Sequence, residues 1–225
     1  MKKILIIILV LLSSNVLAHM DHYKTYNKIE MDIFRNGKLI GYNYYFFTRK
    51  GDETTVANQI KFSVKLLGAT IFQVEGYGEE KYVKNQLISY KSKTLQNDRE
   101  KFVNLFFDID KNKFKIKGSS YSGEASIDNI IGNWWSHKIL QTNSQISPIS
   151  GSIKKQVVTF VGKEKIKQYG KIYEVDHFRL RSKDMSLPKN KRLDFDIWFE
   201  KKSSLILKIS YSRMGNWEYR LKNFE

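Results

Sequence analysis

The sequence predicts a mainly β fold: a strongly bent antiparallel sheet of about a dozen strands, with one short helix covering the concave face. Apolar and polar residues alternate with period two along most of the chain, which is typical of half-buried strands. Turn-forming pairs such as Asn36-Gly37 separate the alternating runs. An open sheet of this many strands usually curls or closes. The expected half-barrel or open barrel then has an apolar concave face that needs a cover.

The first 18 residues indicate a secretory signal peptide. Their order is that of a signal peptidase substrate: a basic start, then an apolar run over residues 4–12, then the small residue Ala18. The apolar run is too short to span a bilayer, which takes about twenty residues. The alternative to a cleaved signal peptide is an uncleaved N-terminal anchor. We therefore expect export to the periplasm of a Gram-negative cell, with cleavage near Ala18. Residues 19–24 are then a flexible mature N-terminus, and residues 25–225 a single β domain.

The first two strands of that domain flank Asn36-Gly37. This pair is the strongest short hairpin signal, because both residues tolerate positive φ. Before the turn, alternation puts Ile29, Met31 and Ile33 on one face. After the turn, the same alternation groups four residues on one face: Ile40, Tyr42, Tyr44 and Phe46.

The strands that follow keep this period. "VANQIKFSVKLL" carries Phe62 on its apolar face, and "ATIFQVEGYGEEKYV" carries Phe72 but is loosened by Gly76 and Gly78. "QLISYKSKTL", "KFVNLFFDI" and "NKFKIKG" come next. All of them predict strands with one buried and one solvated face.

Alternation stops once, in "DNIIGNWWSHKIL" (residues 128–140). Ser126 or Asp128 can cap a helix there, although Gly132 weakens it. The apolar residues of this predicted helix form one stripe: Ile131, Trp135 and Ile139, with Trp134 beside it. About three turns are not stable alone in water, so we expect the segment to lie on the concave face. There the tryptophans either complete the core or, together with His137, line or gate a ligand cavity.

Five more strands follow: "KKQVVTFVG", "KIYEVDHFRLRS", "LDFDIWFE", "SLILKISYS" and "NWEYRLKNF". In the third of these, Phe195 and Phe199 face one side and Asp194 and Asp196 the other. Paired carboxylates can perform acid–base chemistry. These two lie opposite the apolar stripe, so we expect them to form a surface charge ladder with basic residues of neighbouring strands, namely Lys208, Arg220 and Lys222.

The charge of the chain is strongly positive, +16 at pH 7. Such a charge favours anionic partners, and an anionic membrane surface is one that an exported protein meets. Lysine accounts for 31 of the 39 basic residues, whereas bidentate phosphate recognition favours arginine. The abundance of Lys, Asn and Ile also reflects AT-rich codons. We therefore expect no nucleic-acid partner.

Catalytic and metal signatures are missing from the sequence. There is no cysteine and there are only four histidines, and no G-x-S-x-G or H-E-x-x-H pattern occurs. His19 and His22 fall in the expected N-terminal tail, where "HMDH" could hold a soft metal or have no metal role. His137 and His177 are expected to be hydrogen-bonded structural residues. We predict a non-enzymatic protein without a cofactor or metal.

Three stretches carry a resemblance to a known family: "FRNGKLIGYNYYFF", "FSVKLLGATIFQVEGYGEEKYVKNQLISYKSKT" and "FDIWFEKKSSLILKISYSRMGNWEYRL". The chain resembles, over roughly residues 25–224, a family of exported bacterial proteins of unknown function. That family is built on a bent antiparallel sheet similar to the periplasmic lipoprotein-carrier half-barrels, with a Trp-bearing segment between its halves. The resemblance implies a scaffold that elsewhere shelters acyl chains or other apolar ligands. The matching patterns concern strands and turns and carry no chemistry.

The functional prediction is therefore a monomeric periplasmic binding protein that shelters a lipid or other apolar ligand in the half-barrel. Ten residues are the candidates for its cavity or lid: Trp134, Trp135, Ile131, His137, Tyr42, Tyr44, Phe62, Phe72, Phe195 and Phe199. Rim lysines would hold an anionic head group. The alternative is an envelope structural or assembly factor with a packed interior, whose basic surface meets an anionic membrane or polymer. An enzyme that uses carboxylates or His137 is the third possibility.

Overall fold

The computed structural model of the protein describes residues 22–225. The predicted signal peptide and His19 lie outside the described residues. Fifteen strands form one sheet: β1 Lys28–Arg35, β2 Lys38–Lys50, β3 Glu53–Leu66, β4 Ala69–Val83, β5 Gln86–Gln96, β6 Arg99–Asp108, β7 Lys113–Gly118, β8 Ser122–Ser126, β9 Ile130–Ile131, β10 Ser144–Ile146, β11 Ile153–Gln168, β12 Lys171–Ser182, β13 Asp194–Glu200, β14 Leu205–Ser212 and β15 Asn216–Phe224.

The strand order in the sheet is β8-β7-β6-β5-β4-β3-β2-β1-β15-β14-β13-β12-β11-β10-β9. Neighbours are antiparallel except for the short pair β9 and β10, which is parallel. The N- and C-terminal strands, β1 and β15, pair at the centre of the sheet. The sheet does not close, since β8 and β9 remain at its two ends. The predicted mainly β architecture is thus confirmed, and the strands in excess of a dozen are short ones around residues 122–146.

The first predicted hairpin is confirmed in detail. Asn36 and Gly37 have φ values of 49° and 76°, the left-handed conformation that a two-residue hairpin turn requires. Ile29, Met31 and Ile33 are all buried, as their alternation predicts. They define the concave face of the sheet, which carries the hydrophobic core.

The register beyond this turn differs from the sequence prediction. Ile33 lies opposite Gly41 and Phe34 opposite Leu39, so Ile40 is an extra residue in a β-bulge. A one-residue slip moves every following side chain to the other face. The concave face of β2 therefore carries Asn43, Tyr45 and Phe47, which are buried, and Tyr42 and Tyr44 point to the outer face. The prediction that these two tyrosines line the cavity is wrong.

Gly41 also lets the sheet bend. A Cβ atom at this position would overlap the carbonyl oxygen of Lys61 and lie 2.5 Å from the Cα and Cβ atoms of Phe62. Any side chain larger than hydrogen would push β2 and β3 apart at this point. The glycine therefore permits a close approach that helps to curl the sheet.

The predicted helix over residues 128–140 is wrong. Residues 130–131 form strand β9 and only His137–Leu140 form a 3-10 turn, capped by the Ser136 side chain. The reason is tertiary. Asn, Gly, Trp and β-branched residues have low helix propensity, and the side chains of this segment find better partners on the sheet than a helix would offer.

Two core clusters occupy the concave face. The larger joins residues of β1–β4 and β12–β15 to Trp135 and Ile139, and the smaller joins residues of β5–β8 to Ile131 and Ile146. The segment between β8 and β11 therefore packs into both clusters. Among residues 22–225, no helix is long and apolar enough to cross a membrane.

The start of the described chain is also part of the core. The flexible N-terminus over residues 19–24 stays a prediction, and residues 19–21 lie outside the described residues; Tyr23, within this stretch, is 0% exposed. Its hydroxyl donates a hydrogen bond to the carbonyl oxygen of Ser204 at 3.1 Å. An aromatic side chain of this size gains much apolar burial.

Candidate functional site

The candidate site is the cover loop, residues 132–143, which connects β9 to β10 across the concave face. Trp135 Nε1 donates a hydrogen bond to Glu80 on β4, and the ring of Trp134 lies 5.1 Å from that of Phe195 on β13. Six strand spacings separate β4 from β13, about 29 Å in a flat sheet. Two adjacent tryptophans can reach both strands only because the sheet curls around them.

Trp135 is the centre of the aromatic packing under this loop. Its side chain is buried, and three rings meet it edge to face: Tyr23, Phe47 and Tyr82, at centroid distances of 5.0, 5.4 and 6.1 Å. Edge-to-face contacts are a favoured aromatic geometry. Trp134 is half-buried, and its backbone N–H donates to the Tyr45 hydroxyl at 3.1 Å. Both tryptophans therefore take part in the core, Trp135 as a buried member and Trp134 packed against it.

Glu80 is a buried carboxylate at the base of the cover loop, with 2% of its surface exposed. Its Oε1 accepts hydrogen bonds from Trp135 Nε1 and Asn133 Nδ2, each at 2.7 Å, and its Oε2 accepts one from the Tyr82 hydroxyl. Burial raises the pKa of Glu80 above its ordinary value, although the three donors act in the opposite direction. The carboxylate thus links β4 to the cover loop at an electrostatic cost.

A small cavity of about 60 Å³ lies beside Glu80. Its lining mixes polar and apolar groups: Glu80, Tyr82, Asn85, Gln86, Leu87, Phe114, Ile127, Asn129, Ile130, Ile131, Trp135, Ser136 and Lys138. Asn129 Oδ1 is buried without a hydrogen-bond partner in the described part of the chain. A space of this size suits one or two water molecules and is too small for an acyl chain.

His137 anchors the other side of the cover loop. Its Nδ1 lies 2.7 Å from the Tyr23 hydroxyl oxygen, which also accepts the backbone N–H of His137 at 2.8 Å. Burial and the nearby His22 ring, 5.3 Å away between centroids, lower the pKa of His137 to about 4. The imidazole is therefore neutral at physiological pH, and its Nδ1 is hydrogen-bonded to the Tyr23 hydroxyl.

A pair of buried glutamines holds the far end of the loop. Gln145 Nε2 donates to Gln156 Oε1 at 2.6 Å, and Gln156 Nε2 donates to the carbonyl oxygens of Ile139 and Thr142 at 2.8 and 3.0 Å. Gly132 makes room for this pair, since a Cβ there would overlap Gln145 Oε1. Side-chain hydrogen bonds thus recur at both ends of the loop.

The structure brings together five of the ten predicted site residues. Trp134, Trp135 and His137 on the cover loop meet Phe195 and Phe199 on β13; the His137 and Phe199 rings are 5.0 Å apart. Ile131 lies in the smaller core cluster. Phe62 and Phe72 pack on each other at 5.9 Å, and Phe62 on Trp217 at 5.4 Å, elsewhere on the concave face.

Tyr42 and Tyr44 stack on each other at 4.4 Å on the outer face. An open depression of about 390 Å³ lies near them, lined in part by Tyr42, Lys61 and Phe62. We expected rim lysines to be available for an anionic head group. Lys61, however, pairs with Glu75 at 3.0 Å, so its charge is already matched.

Asp194 and Asp196 form the expected surface ladder, with partners on β12 rather than on the strands we predicted. Asp194 Oδ1 accepts from Arg179 at 3.0 Å and lies 3.4 Å from Arg181 Nε, and Asp196 Oδ1 lies 3.0 Å from His177 Nε2. The predicted partners Lys208 and Arg220 instead contact Glu218.

Sequence reasoning missed Glu80 and Tyr23. A signal for Glu80 was present, because the alternation of Val74, Gly76, Gly78 and Glu80 places its side chain on the concave face. A charged residue on a buried face indicates a specific partner. Tyr23 gave no such signal, since it lies outside any alternating run.

The sequence profile of the domain of unknown function DUF6134 matches residues 31–222. No curated protein matches the chain. The solved structures similar to it include the following two. One is a beta-barrel-like protein of the domain of unknown function DUF1849 from Brucella abortus, with a TM-score of 0.58 and 8% identity over 89% of this chain and 96% of that one. The other is a DUF1329 family protein from Desulfovibrio piger, with a TM-score of 0.28 and 11% identity over 93% and 89%.

Proposed function

The chain belongs to the DUF6134 family, and we propose that it is a non-enzymatic, exported binding protein of the periplasm. In this proposal it shelters a lipid or other apolar ligand against the concave face of its sheet. The cover loop, residues 132–143, is the part that moves. The similarity to the beta-barrel-like DUF1849 protein supports the scaffold and leaves the ligand open.

One observation carries the proposal: the cover loop fills the concave face without being a strand of the sheet. β9 and β10 flank it; β9 pairs with β10, and β10 pairs with β11. Trp134 and Trp135, in contrast, reach the opposite wall through side chains and one backbone N–H. The loop can therefore leave the concave face while the β-sheet pairing stays intact.

The polar anchors of the loop support movement as well. An apolar plug would avoid the cost of a buried carboxylate, whereas the Glu80 bonds to Asn133 and Trp135 hold the loop in one position and can be replaced by water when it opens. Opening exposes the rings that Trp134 and Trp135 cover, including Phe47 and Phe195. A ligand that covers them again gains about 25 cal/mol for each Å² of apolar surface removed from water.

The size of the Glu80 cavity, about 60 Å³, favours a second candidate function. A permanently packed interior suits the alternative we drew from the sequence, an envelope structural or assembly factor that acts through its basic surface. The two candidates differ in whether the cover loop ever leaves the concave face.

Native mass spectrometry separates these candidates. The protein is purified from a periplasmic fraction and its mass is measured before and after organic extraction. The binding protein carries an adduct of lipid mass that Trp134→Ala/Trp135→Ala loses. A matched control is Trp198→Ala, because Trp198 stacks on His177 at 4.6 Å on the outer face. A clean mass that stays clean after incubation with envelope lipids rejects the carrier and favours the packed factor.

A further inference from the structure

The β3–β4 hairpin projects from one end of the sheet. β3 pairs with β2 only as far as Phe62, opposite Gly41, so residues 63–66 pair with β4 alone. On the other side, β4 pairs with β5 only from Val74 onward. Four residues of extended strand correspond to about 13 Å. The end of this hairpin therefore has no strand partner on either side; beyond Gly41, β2 continues to Lys38 with β1 alone, so the β1–β2 turn lies at the same end.

The tip of this hairpin is apolar and open to solvent. Leu67 is 100% exposed, Leu66 60% and Ile71 47%. Isolated exposed apolar residues are common, but a group of three on a projecting turn is an unusual use of leucine and isoleucine. Burial within the folded chain does not account for these side chains.

Turn chemistry does not account for Leu67 either. Leu67-Gly68 has φ values of 49° and 85°, almost the same as Asn36-Gly37 with 49° and 76°. Asparagine tolerates this left-handed conformation, whereas leucine does not favour it. Met214-Gly215 repeats the pattern, with a φ of 51° at Met214 and 85% of its side chain exposed. Two apolar residues thus occupy strained turn positions without gaining burial.

In a third turn of the same conformation, the side chain in the left-handed position has a hydrogen-bond partner on the sheet. Tyr169-Gly170, with φ values of 46° and 82°, forms the turn that connects β11 to β12. The Tyr169 hydroxyl donates to Asp32 Oδ2 on β1 at 2.7 Å, so this side chain ties the hairpin to the sheet. Leu67 and Met214 extend into solvent instead.

The turns that carry Leu67 and Met214 lie at the same end of the sheet. The β1–β2 turn lies between them, and Arg35 Nε donates to the carbonyl oxygen of Met214 at 3.1 Å. The segments 35–39, 65–71 and 213–216 contain four basic residues and no acidic one: Arg35, Lys38, Lys65 and Arg213. Exposed apolar tips are thus surrounded by positive charge.

We propose that this end of the sheet, the apolar tip formed by the turns at residues 35–39, 65–71 and 213–216, docks on an anionic lipid bilayer. Leu67 and Met214 insert among the lipid headgroups and the four basic residues contact lipid phosphates. The proposal goes beyond ligand binding under the cover loop and does not depend on it.

The geometry of the hairpin suits a bilayer. Its backbone groups pair between β3 and β4 up to Leu66 and Ala69, and the N–H and C=O groups on the outer edges of the two strands can bond to water and headgroups at the depth of the bilayer interface. The part of β3 beyond Phe62, about 13 Å long, is longer than the 5–10 Å to which interfacial segments insert. Basic residues at its base then lie at the level of the headgroups, where each adds to the attraction.

Vesicle co-sedimentation of the purified protein tests the proposal. We expect binding to vesicles of phosphatidylethanolamine with phosphatidylglycerol and little binding to vesicles of phosphatidylcholine alone. The double variant Leu67→Asn/Met214→Asn should have a partition coefficient about ten-fold lower than that of the native protein. Its stability to urea should stay equal or rise, since asparagine tolerates the left-handed turn. The matched control is Ile109→Asn, which removes a 78% exposed residue from a turn at the opposite end of the sheet and should bind as the native protein does.

A second variant reports insertion directly. Leu67→Trp should show blue-shifted fluorescence with the anionic vesicles and quenching by brominated acyl chains. Binding that is equally strong in Leu67→Asn/Met214→Asn, or an unquenched tryptophan, overturns the proposal and leaves only charge attraction. The proposal is also overturned if the native protein does not bind anionic vesicles. If the native protein self-associates and the double asparagine variant does not, the apolar tip instead binds a second copy of the chain.

Discussion

The indole Nε1 of Trp135 donates a hydrogen bond of 2.7 Å to the buried carboxylate of Glu80. This bond joins the cover loop to β4, and Asn133 and Tyr82 donate to the same carboxylate. The position of the loop therefore depends on one acceptor group that the core holds at an electrostatic cost.

Removal of that acceptor should destabilise the fold. Glu80→Ala leaves the donors of Trp135 and Asn133 buried without a partner, so we expect a loss of about 2–4 kcal/mol in the free energy of unfolding. Glu80→Gln keeps an acceptor for both donors and should lose clearly less. Urea unfolding followed by circular dichroism measures both variants, and equal losses would show that the hydrogen bonds do not hold the loop.

Glu80 should also make stability depend on pH. Because burial raises the pKa of Glu80 in the folded state above its ordinary 4.5, the folded state binds this proton more tightly than the unfolded state does. The free energy of unfolding should therefore fall as the pH rises from about 4.5 to the raised pKa. In Glu80→Gln this part of the decline disappears, which urea titrations at several pH values compare directly.

His137 should act in the opposite direction. Its pKa in the folded state is lowered to about 4 from an ordinary 6.5, so protonation opposes the folded state. Its contribution to stability is complete above pH 6.5 and falls as the pH drops from 6.5 towards 4. His137→Asn keeps a side-chain donor for the Tyr23 hydroxyl oxygen and should flatten the pH dependence in that range. An unchanged profile would mean that His137 remains exposed enough to titrate normally.

Gly41 should tolerate no side chain. Gly41→Ala places a methyl group against the backbone of β3, and we expect it to cost about 1–3 kcal/mol of stability. Gly162 is the matched control, since a Cβ there meets no atom within 4 Å and its φ lies outside the left-handed region. Thermal unfolding of both variants checks the expectation; equal midpoints would show that the close approach at Gly41 is not required for the bend.

Much of the sheet could be predicted because its signals are local. Asn36-Gly37 specifies a turn through its own backbone preferences, and Ile29, Met31 and Ile33 specify a buried face through their spacing alone. The bulge at Ile40 has no such signal, and it reversed the faces assigned to Tyr42 and Tyr44. A bulge is set by the pairing of two strands and by the bend at Gly41, and neither can be read from one run of residues.

The candidate site divides in the same way. The sequence predicted that Trp134, Trp135 and His137 lie on the concave face, because an isolated apolar segment must be buried somewhere. It predicted the wrong local structure, since residues with weak helix propensity take whichever conformation brings their side chains to partners. Trp135 reaches Glu80 across a gap of 55 residues in the chain, and no spacing in the sequence encodes that contact.

The sequence by itself determined the β architecture, the first hairpin and the burial of the tryptophan segment. These features follow from alternation, turn preference and hydrophobicity, which act over a few residues. Tertiary structure alone decided the order of fifteen strands, the curl that brings β4 and β13 to opposite sides of one loop, and the buried Glu80 network. Such features depend on which distant strands pair and how closely they approach, because hydrogen bonds and packing contacts form in space rather than along the chain.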